Sequence, residues 1–214
     1  SQVHRQVVRK RAEVRDITMN PSTRLYYVDV EHPDMHKPSG DLERLIEALE
    51  TQWDLQNVKA DLHILQSMQS ILRKGDWKVT VAVHLGDEIH PPTIMHIWPG
   101  FFDGSIYGLA IDLGSTTIAA HLCDLQTGDV VASSGIMNPQ IRFGEDLMSR
   151  VSYSMMNKGG DQEMTQAVRE GMNTLFAQVA DEAEIDKALI VDAVFVCNPV
   201  MHHLFLGIDP FELG

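Results

Sequence analysis

The sequence predicts an α/β fold made of two successive units, and three observations support this class. Strand-like and helix-like segments alternate from about residue 23 to residue 100, a strand–turn–strand begins at Tyr107, and amphipathic segments follow it. The Pro99-Gly100 pair breaks the chain between the units, because neither residue continues a helix or a strand well. These patterns divide the chain into a basic linker over 1–22, a small α+β domain over 23–104 and an α/β unit over 105–214.

The first unit has the pattern of a small sheet with two helices. Residues 24–31 are rich in β-formers, residues 77–84 alternate between apolar and polar side chains, and 93–98 can pair with them. Two helical segments between these strands each carry an apolar stripe. The stripes are Leu42, Leu45, Ile46, Leu49 and Trp53 in one segment, and Leu62, Leu65, Met68 and Leu72 in the other.

The second unit begins with three strands in successive hairpins and continues with helices. The strands are expected at 107–112, 118–124 and 130–134, because β-formers there are separated by turn residues. A helix follows to about Met156, and a longer helix then begins at Asp161. Its stripe of Met164, Val168, Met172, Leu175 and Val179 predicts core packing.

The turn between the first two strands of this unit carries the residues best suited to chemistry. Asp112 ends the first strand, and Gly114 permits both a tight turn and the close approach of a ligand. Ser115, Thr116 and Thr117 add hydroxyl and backbone N–H groups, which can hold a phosphate. Asp112 can hold Mg²⁺ through its waters, since Mg²⁺ loses water reluctantly. An ordinary hairpin turn, with Asp and Gly present for turn geometry alone, is the alternative.

Charge and composition exclude several other classes. Thirty Asp+Glu against seventeen Lys+Arg give a net charge of −13, which argues against nucleic acid as a partner. No apolar run reaches the roughly 20 residues that span a bilayer. The two cysteines are too few for a disulfide framework or a four-thiolate cluster within this chain. We therefore expect no membrane association and a cytoplasmic location. Oligomeric state, a homodimer included, is left open.

The chain also lacks two common nucleotide motifs. No Gly-Lys-Ser/Thr follows a glycine-rich loop, and no Gly-x-Gly-x-x-Gly leads from a strand into a helix. Any phosphate site here is therefore neither a P-loop nor a dinucleotide fingerprint.

Two later segments contain further candidates. Arg142, Glu145, Asp146 and Arg150 surround a predicted helix start, where a capped helix with surface ion pairs is one interpretation and a loop facing a cleft or partner is the other. Residues 189–197 are almost uncharged, which predicts a central parallel strand covered on both faces.

Asn198 follows that strand directly. The carboxyl ends of parallel strands are the usual position of ligand sites in such sheets. Asn198 is therefore a candidate for contact with a nucleotide or with its water.

Three motifs in order resemble one known family. The turn at 112–117 is similar to the first phosphate motif of the superfamily of acetate kinase, sugar kinases, Hsp70 and actin. With the segments Met137–Val151 and Cys197–Pro210, the chain resembles the reductive activators of corrinoid-dependent enzymes. The resemblance implies a middle domain over 23–104 and the N-terminal part of an actin-like, ribonuclease H-like ATPase lobe over 105–214.

The family resemblance also implies a function, cofactors and a partner. ATP with Mg²⁺ would bind at Gly114, Ser115, Thr116, Thr117 and Asn198, with Asp112 orienting metal and water. Hydrolysis would drive an electron from a [2Fe–2S] domain onto cobalt(II) of a corrinoid protein, and the resulting cobalt(I) would support a methyltransferase system.

This chain has neither the cysteines of the iron–sulfur domain nor the second phosphate motif of such a family. We therefore expect a fragment that is inactive alone. Two alternatives remain open: a small-molecule kinase of the same superfamily, and a non-enzymatic module that docks a partner.

Overall fold

A computed structural model describes residues 18–213. The predicted linker over 1–22 lies outside the described residues except for 18–22. The chain divides into two compact units, with the boundary between Ile106 and Tyr107. Within 18–213, no helix is both long and apolar enough to cross a membrane.

The first unit is a four-stranded sheet with two helices. Its elements are β1 (Thr23–Asp29), α1 (Asp41–Trp53), β2 (Lys59–Ala60), α2 (Leu62–Lys74), β3 (Lys78–His84) and β4 (Thr93–Pro99). The strand order is β1-β3-β4-β2, with β3 antiparallel to both neighbours and β2 parallel to β4. Apolar side chains of both helices and of the sheet form one core, so the α+β prediction is confirmed for this unit.

The predicted apolar stripe of α2 was partly wrong. Met68 and Leu72 are buried as expected, but Leu62 is 69% exposed and Leu65 is 39% exposed, whereas Ile64 is buried. At about 100° per residue, Leu62 lies roughly 200° around the helix from Ile64, so the two cannot share a face. The stripe through Ile64, Met68 and Leu72 packs on the sheet instead.

The second unit is a four-stranded sheet with three α-helices on one face. Its main elements are β5 (Tyr107–Leu113), β6 (Thr117–Asp124), β7 (Val130–Met137), a 3-10 helix (Pro139–Phe143), α3 (Leu147–Met156), α4 (Gly160–Glu182), β8 (Ile190–Cys197) and α5 (Pro199–Leu206). Shorter 3-10 helices lie at Lys187–Leu189 and Phe211–Leu213.

The strand order of this sheet is β7-β6-β5-β8. The first three strands pair antiparallel, as the predicted hairpins require, and β8 returns parallel to β5. Side chains of α3, α4 and α5 share a single core with β5. The predicted fold class is therefore confirmed, as is the buried stripe of α4.

The prediction that residues 189–197 are covered on both faces was wrong for the described residues. Val194 is 64% exposed and Val196 is 68% exposed. Among the described strands β8 pairs only with β5, so it lies at the edge of the sheet. The helices cover the face that carries Phe195 and Cys197, which leaves the other face of β8 without a covering layer in 18–213.

Candidate functional site

The candidate site lies at the edge of the second sheet where β5 and β8 both end. These strands run parallel with Leu113 opposite Cys197, so the turn after β5 and Asn198 after β8 lie at the same edge. Leu113 faces the helices, and alternation along the strand places Asp112 on the opposite face. The structure thus brings together the residues singled out in two separate motifs.

The turn itself is closed by a backbone hydrogen bond that requires glycine. The Gly114 N–H donates to the carbonyl oxygen of Thr117 at 3.1 Å. A Cβ on residue 114 would lie 2.6 Å from that same oxygen, inside the 3.0 Å that real Cβ atoms keep. Gly114 is therefore needed for close approach of two backbone segments.

Three successive carbonyl groups of the turn accept hydrogen bonds from the interior. Asn138 Nδ2 donates to Gly114 O at 2.9 Å, and the Asn138 N–H donates to Thr116 O at 2.8 Å. Arg150 Nη2 donates to Ser115 O at 2.5 Å. These three bonds fix the orientation of the peptide groups of the turn.

The orientation of the carbonyls determines where two N–H groups point. In a trans peptide the C=O of one residue and the N–H of the next point in opposite directions, and no described peptide bond is cis. Because Gly114 O and Ser115 O face Asn138 and Arg150, the N–H groups of Ser115 and Thr116 face away from them. Neither N–H group has an acceptor among the described residues, and Thr116 is exposed. Two adjacent backbone donors of this kind are suited to an anion.

The donors beneath the turn belong to a buried polar cluster, here called the polar support and defined as Asn138, Gln140, Arg150 and Met201. All four side chains are at most 1% exposed. The Arg150 guanidinium reaches Gln140 Oε1 at 3.4 Å and Met201 Sδ at 3.3 Å, and Asn138 Nδ2 reaches the same sulfur at 3.4 Å. Gln140 Nε2 donates to Met164 O on α4 at 2.9 Å. The support therefore joins the 3-10 helix, α3, α4 and α5 beneath the turn.

Arg150 does not fit the interpretation of this segment as a helix start with surface ion pairs. Its side chain is fully buried and makes no salt bridge with a described carboxylate, so the expected surface ion pair does not form at this position. Its Nε also donates to Gly144 O at 2.9 Å. Burial lowers the pKa of Arg150 from its ordinary value, and the Asp146 carboxylate opposes that shift.

The neighbouring charged residues bear out the helix cap of the first interpretation but not its surface ion pairs, since no salt bridge within residues 18–213 involves Arg142, Glu145 or Asp146. Asp146 caps α3 by accepting from the Ser149 N–H at 2.7 Å, and Arg142 lies over the ring of Phe143 in an exposed position. The signal that distinguishes Arg150 from Arg142 is its spacing: it follows Leu147 by three positions and therefore shares the inward face of α3.

Asn198 lies beside the turn but is already engaged in its own helix. Its Oδ1 accepts from the Met201 N–H at 2.9 Å, which caps α5. Its Nδ2 group remains the part of the side chain that suits a ligand contact.

The cysteines do not form a cluster site. Cys123 lies on β6 and Cys197 at the end of β8, both half-buried, and burial raises the pKa of each thiol. Among residues 18–213, no group of three or more His, Cys, Asp and Glu side chains is arranged to hold a metal ion. A [2Fe–2S] cluster, which needs four protein ligands, does not fit the described residues.

Comparisons with known proteins match both units. A family model described as the RACo linker region matches residues 12–104, and one described as the RACo middle region matches residues 107–214. The family thus names the first segment a linker and the second a middle region, whereas we expected a middle domain over 23–104 and part of an ATPase lobe over 105–214.

Two individual proteins are also similar. A protein of Eubacterium limosum named corrinoid activation enzyme RamQ is 34% identical over 109 residues, which is 51% of this chain and 18% of that protein. A solved structure titled reductive activator for corrinoid, iron-sulfur protein is 31% identical, with a TM-score of 0.74 over 97% of this chain and 32% of that one. The chain thus spans less than a third of the length of either relative.

Proposed function

Because this chain belongs to the RACo family of reductive activators, we propose that the protein containing it returns a corrinoid protein to its reduced, active state. Both named relatives are described by corrinoid activation, and one of them resembles this chain over both units. The partner would be a corrinoid protein of a methyltransferase system.

We further propose that activation depends on ATP bound at the turn of the second unit. The observation that carries this proposal is the pair of Ser115 and Thr116 N–H groups, held outward and without an acceptor among residues 18–213. Backbone donors in a turn suit phosphate oxygens, and the carboxylate of Asp112, which lies one residue before the end of β5, suits the waters of Mg²⁺. The donor set therefore fits a magnesium-bound phosphate chain.

Each residue of the candidate site then has a defined task. Gly114 allows the turn to close, Ser115, Thr116 and Thr117 offer backbone and hydroxyl donors, and Asp112 orients metal-bound and attacking water. Asn198 Nδ2 would add a donor from the neighbouring strand end. Mg·ATP supplies, on hydrolysis, the free energy for an otherwise uphill one-electron reduction.

The redox step balances with one electron. Cobalt(II) of the corrinoid would become cobalt(I) by gaining one electron, and that electron would come from a one-electron reductant outside residues 18–213. Nucleotide can bias that step only through a difference in affinity or geometry between two states of the activator, since coupling is a difference in free energy between states.

The test uses the complete protein with its corrinoid partner and a chemical reductant. Cobalt(I) is followed by its absorption with ATP, with ADP and without nucleotide, and we expect it to accumulate only with ATP. Asp112→Asn should lower the rate by about 10²-fold or more, as loss of a preorganised polar group in a reacting site does. Asp129→Asn, an exposed turn residue of the same sheet, is the matched control and should leave the rate unchanged.

Three results would contradict the proposal. Equal cobalt(I) formation without ATP removes the nucleotide from the mechanism. ATP turnover that responds to sugars or acids but not to the corrinoid protein favours a small-molecule kinase. Binding of the corrinoid protein with no affinity for ATP favours a docking module.

A further inference from the structure

We propose that Arg150 is a positioning residue of the phosphate turn, which holds the Ser115 carbonyl inward and places a buried positive charge behind the outward Thr116 N–H. This inference rests on the proposed function, since the anion it favours is the phosphate chain of a nucleotide. Arg150 contacts no part of the ligand itself and acts through the peptide groups of the turn.

The first support is the difference between the two buried arginines of the described chain. Arg44 is 5% exposed, and its guanidinium pairs with the Asp41 carboxylate and lies over the Trp77 ring. Arg150 is 0% exposed and has only neutral acceptors, namely carbonyl, amide and thioether groups. A buried charge is normally paired, because removing it from water is costly. Within residues 18–213 Arg44 follows this rule with a direct salt bridge, whereas Arg150 makes no salt bridge and is favoured only by the field of the Asp146 carboxylate.

The second support is the peptide group that separates Arg150 from the outer side of the turn. Arg150 Nη2 donates to Ser115 O, and the N–H of the same peptide group belongs to Thr116. A cation at the oxygen end of a peptide polarises it, so that the N–H end becomes a stronger donor to an anion. The cost of burying the guanidinium is thus offset when an anion binds on the opposite side of that peptide.

The third support is the convergence of the polar support on the turn from three chain segments. Asn138 fixes Gly114 O and Thr116 O, and Met201 contacts both Asn138 Nδ2 and the Arg150 guanidinium. Three donors of this group, namely Asn138 Nδ2, the Asn138 N–H and Arg150 Nη2, point at carbonyl oxygens of the turn. Such an arrangement fixes the direction of two outward N–H groups before a ligand arrives, which lowers the cost of ordering them on binding.

The experiment compares Arg150→Met, Arg150→Lys and the matched control Arg44→Met in the complete protein. Affinity for ADP and for inorganic tripolyphosphate is measured by calorimetry, below the melting temperature of every variant. Hydrogen exchange of the Asn138 backbone N–H, which donates to Thr116 O, reports how well ordered the turn is when no ligand is bound.

We expect Arg150→Met to bind both ligands roughly tenfold more weakly, the size typical for losing a hydrogen bond to a charged group. The Asn138 amide should exchange faster in the same variant. Arg44→Met should change neither readout. Arg150→Lys should lie between the wild type and Arg150→Met, since it keeps the charge but cannot bond Ser115 O and Gly144 O together. If Arg150→Met does not fold, Arg150→Lys and its exchange rate decide the question.

Two outcomes overturn the inference and one separates it from the proposed function. Unchanged affinity in folded Arg150→Met overturns it, as does an equal loss of affinity in Arg44→Met, which would show a general effect of stability. Failure of the wild type to bind either ligand refutes the nucleotide site itself and is visible before any variant is made.

Discussion

Substitution of Gly114 by alanine tests the geometry of the turn most directly. The added Cβ would lie 2.6 Å from Thr117 O, which is a backbone atom and cannot move aside as a flexible side chain does. The backbone of Gly114 does not have a positive φ, so alanine meets no conformational barrier there. The whole cost therefore comes from the contact.

The magnitude follows from three contributions. Moving Thr117 O away breaks its hydrogen bond with the Gly114 N–H, which costs about 1 kcal/mol. Residual crowding in a packed site adds about 1–2 kcal/mol. Alanine also lowers the conformational entropy of the unfolded chain, which stabilises the folded state by about 0.4–1 kcal/mol. The net loss of stability is about 1–2.6 kcal/mol, which lowers the melting temperature by at least about 4 °C for a unit of roughly 100 residues.

Gly159→Ala provides a control of similar cost at a distant position of the same unit. Gly159 has a φ of +83° and no atom within 4 Å of its added Cβ, so its cost is conformational, about 1–2 kcal/mol. Both variants should therefore melt earlier than the wild type by similar amounts. Only Gly114→Ala should also lose nucleotide affinity, because only there does the turn change shape.

The assay pairs differential scanning calorimetry with ADP titration of the complete protein. Wild-type stability and wild-type affinity in Gly114→Ala would refute the close-contact argument. An equal loss of affinity in both variants would show that affinity follows general stability and not the turn.

Three further predictions concern other parts of the chain. The Ser149 N–H holds the pKa of the Asp146 carboxyl below its usual value. The stability that this carboxylate contributes is therefore present above the unfolded pKa of about 3.9 and is lost as pH falls through the lower folded pKa. In urea titrations at pH 5 and pH 3, Asp146→Asn should lose less stability on acidification than the wild type, and an equal loss would contradict the capping role. Asn198→Ala removes the cap of α5 and should cost about 1 kcal/mol in urea denaturation, whereas Asn198→Asp should restore most of it. In α2, Leu62→Gln should change the free energy of unfolding by less than about 0.5 kcal/mol, whereas Ile64→Ala should lower it by about 2 kcal/mol or more. The reverse order would show that the stripe through Leu62 and Leu65 faces the core.

The fold could be predicted from sequence where local pattern and tertiary role agree. The hairpins of the second unit and the stripe of α4 are examples, since turn residues and helical spacing suffice to define them. Val194 and Val196 show the limit of that reasoning. Their apolar character is compatible with a central strand or with an edge strand, and only the pairing of the whole sheet decides between them.

The candidate site was likewise predictable where it depends on local sequence and not where it depends on distant contacts. The turn at 112–117 is a local pattern with known turn chemistry, so its residues could be named from sequence. Charge pattern alone does not distinguish Arg150, because a cation near acidic residues at a helix start is typical of a solvated surface. The only local signal is its position three residues after Leu147 on α3. Its burial depends on Ser115 O and Met201 Sδ, which are 35 and 51 positions away along the chain.

Those separations have a consequence for how the protein folds. The hairpin that carries the turn closes a short loop and is expected to form early, whereas its support requires contacts between Gly114, Asn138 and Met201 across 24 to 63 residues. Ordering of the turn is therefore expected to be among the last kinetic events of this unit, after β8 and α5 have docked. In a refolding experiment, protection of the His202 N–H, which donates to Asn198 O in the first turn of α5, should appear in the slow phase, after the amides of the β5–β6 ladder are already protected.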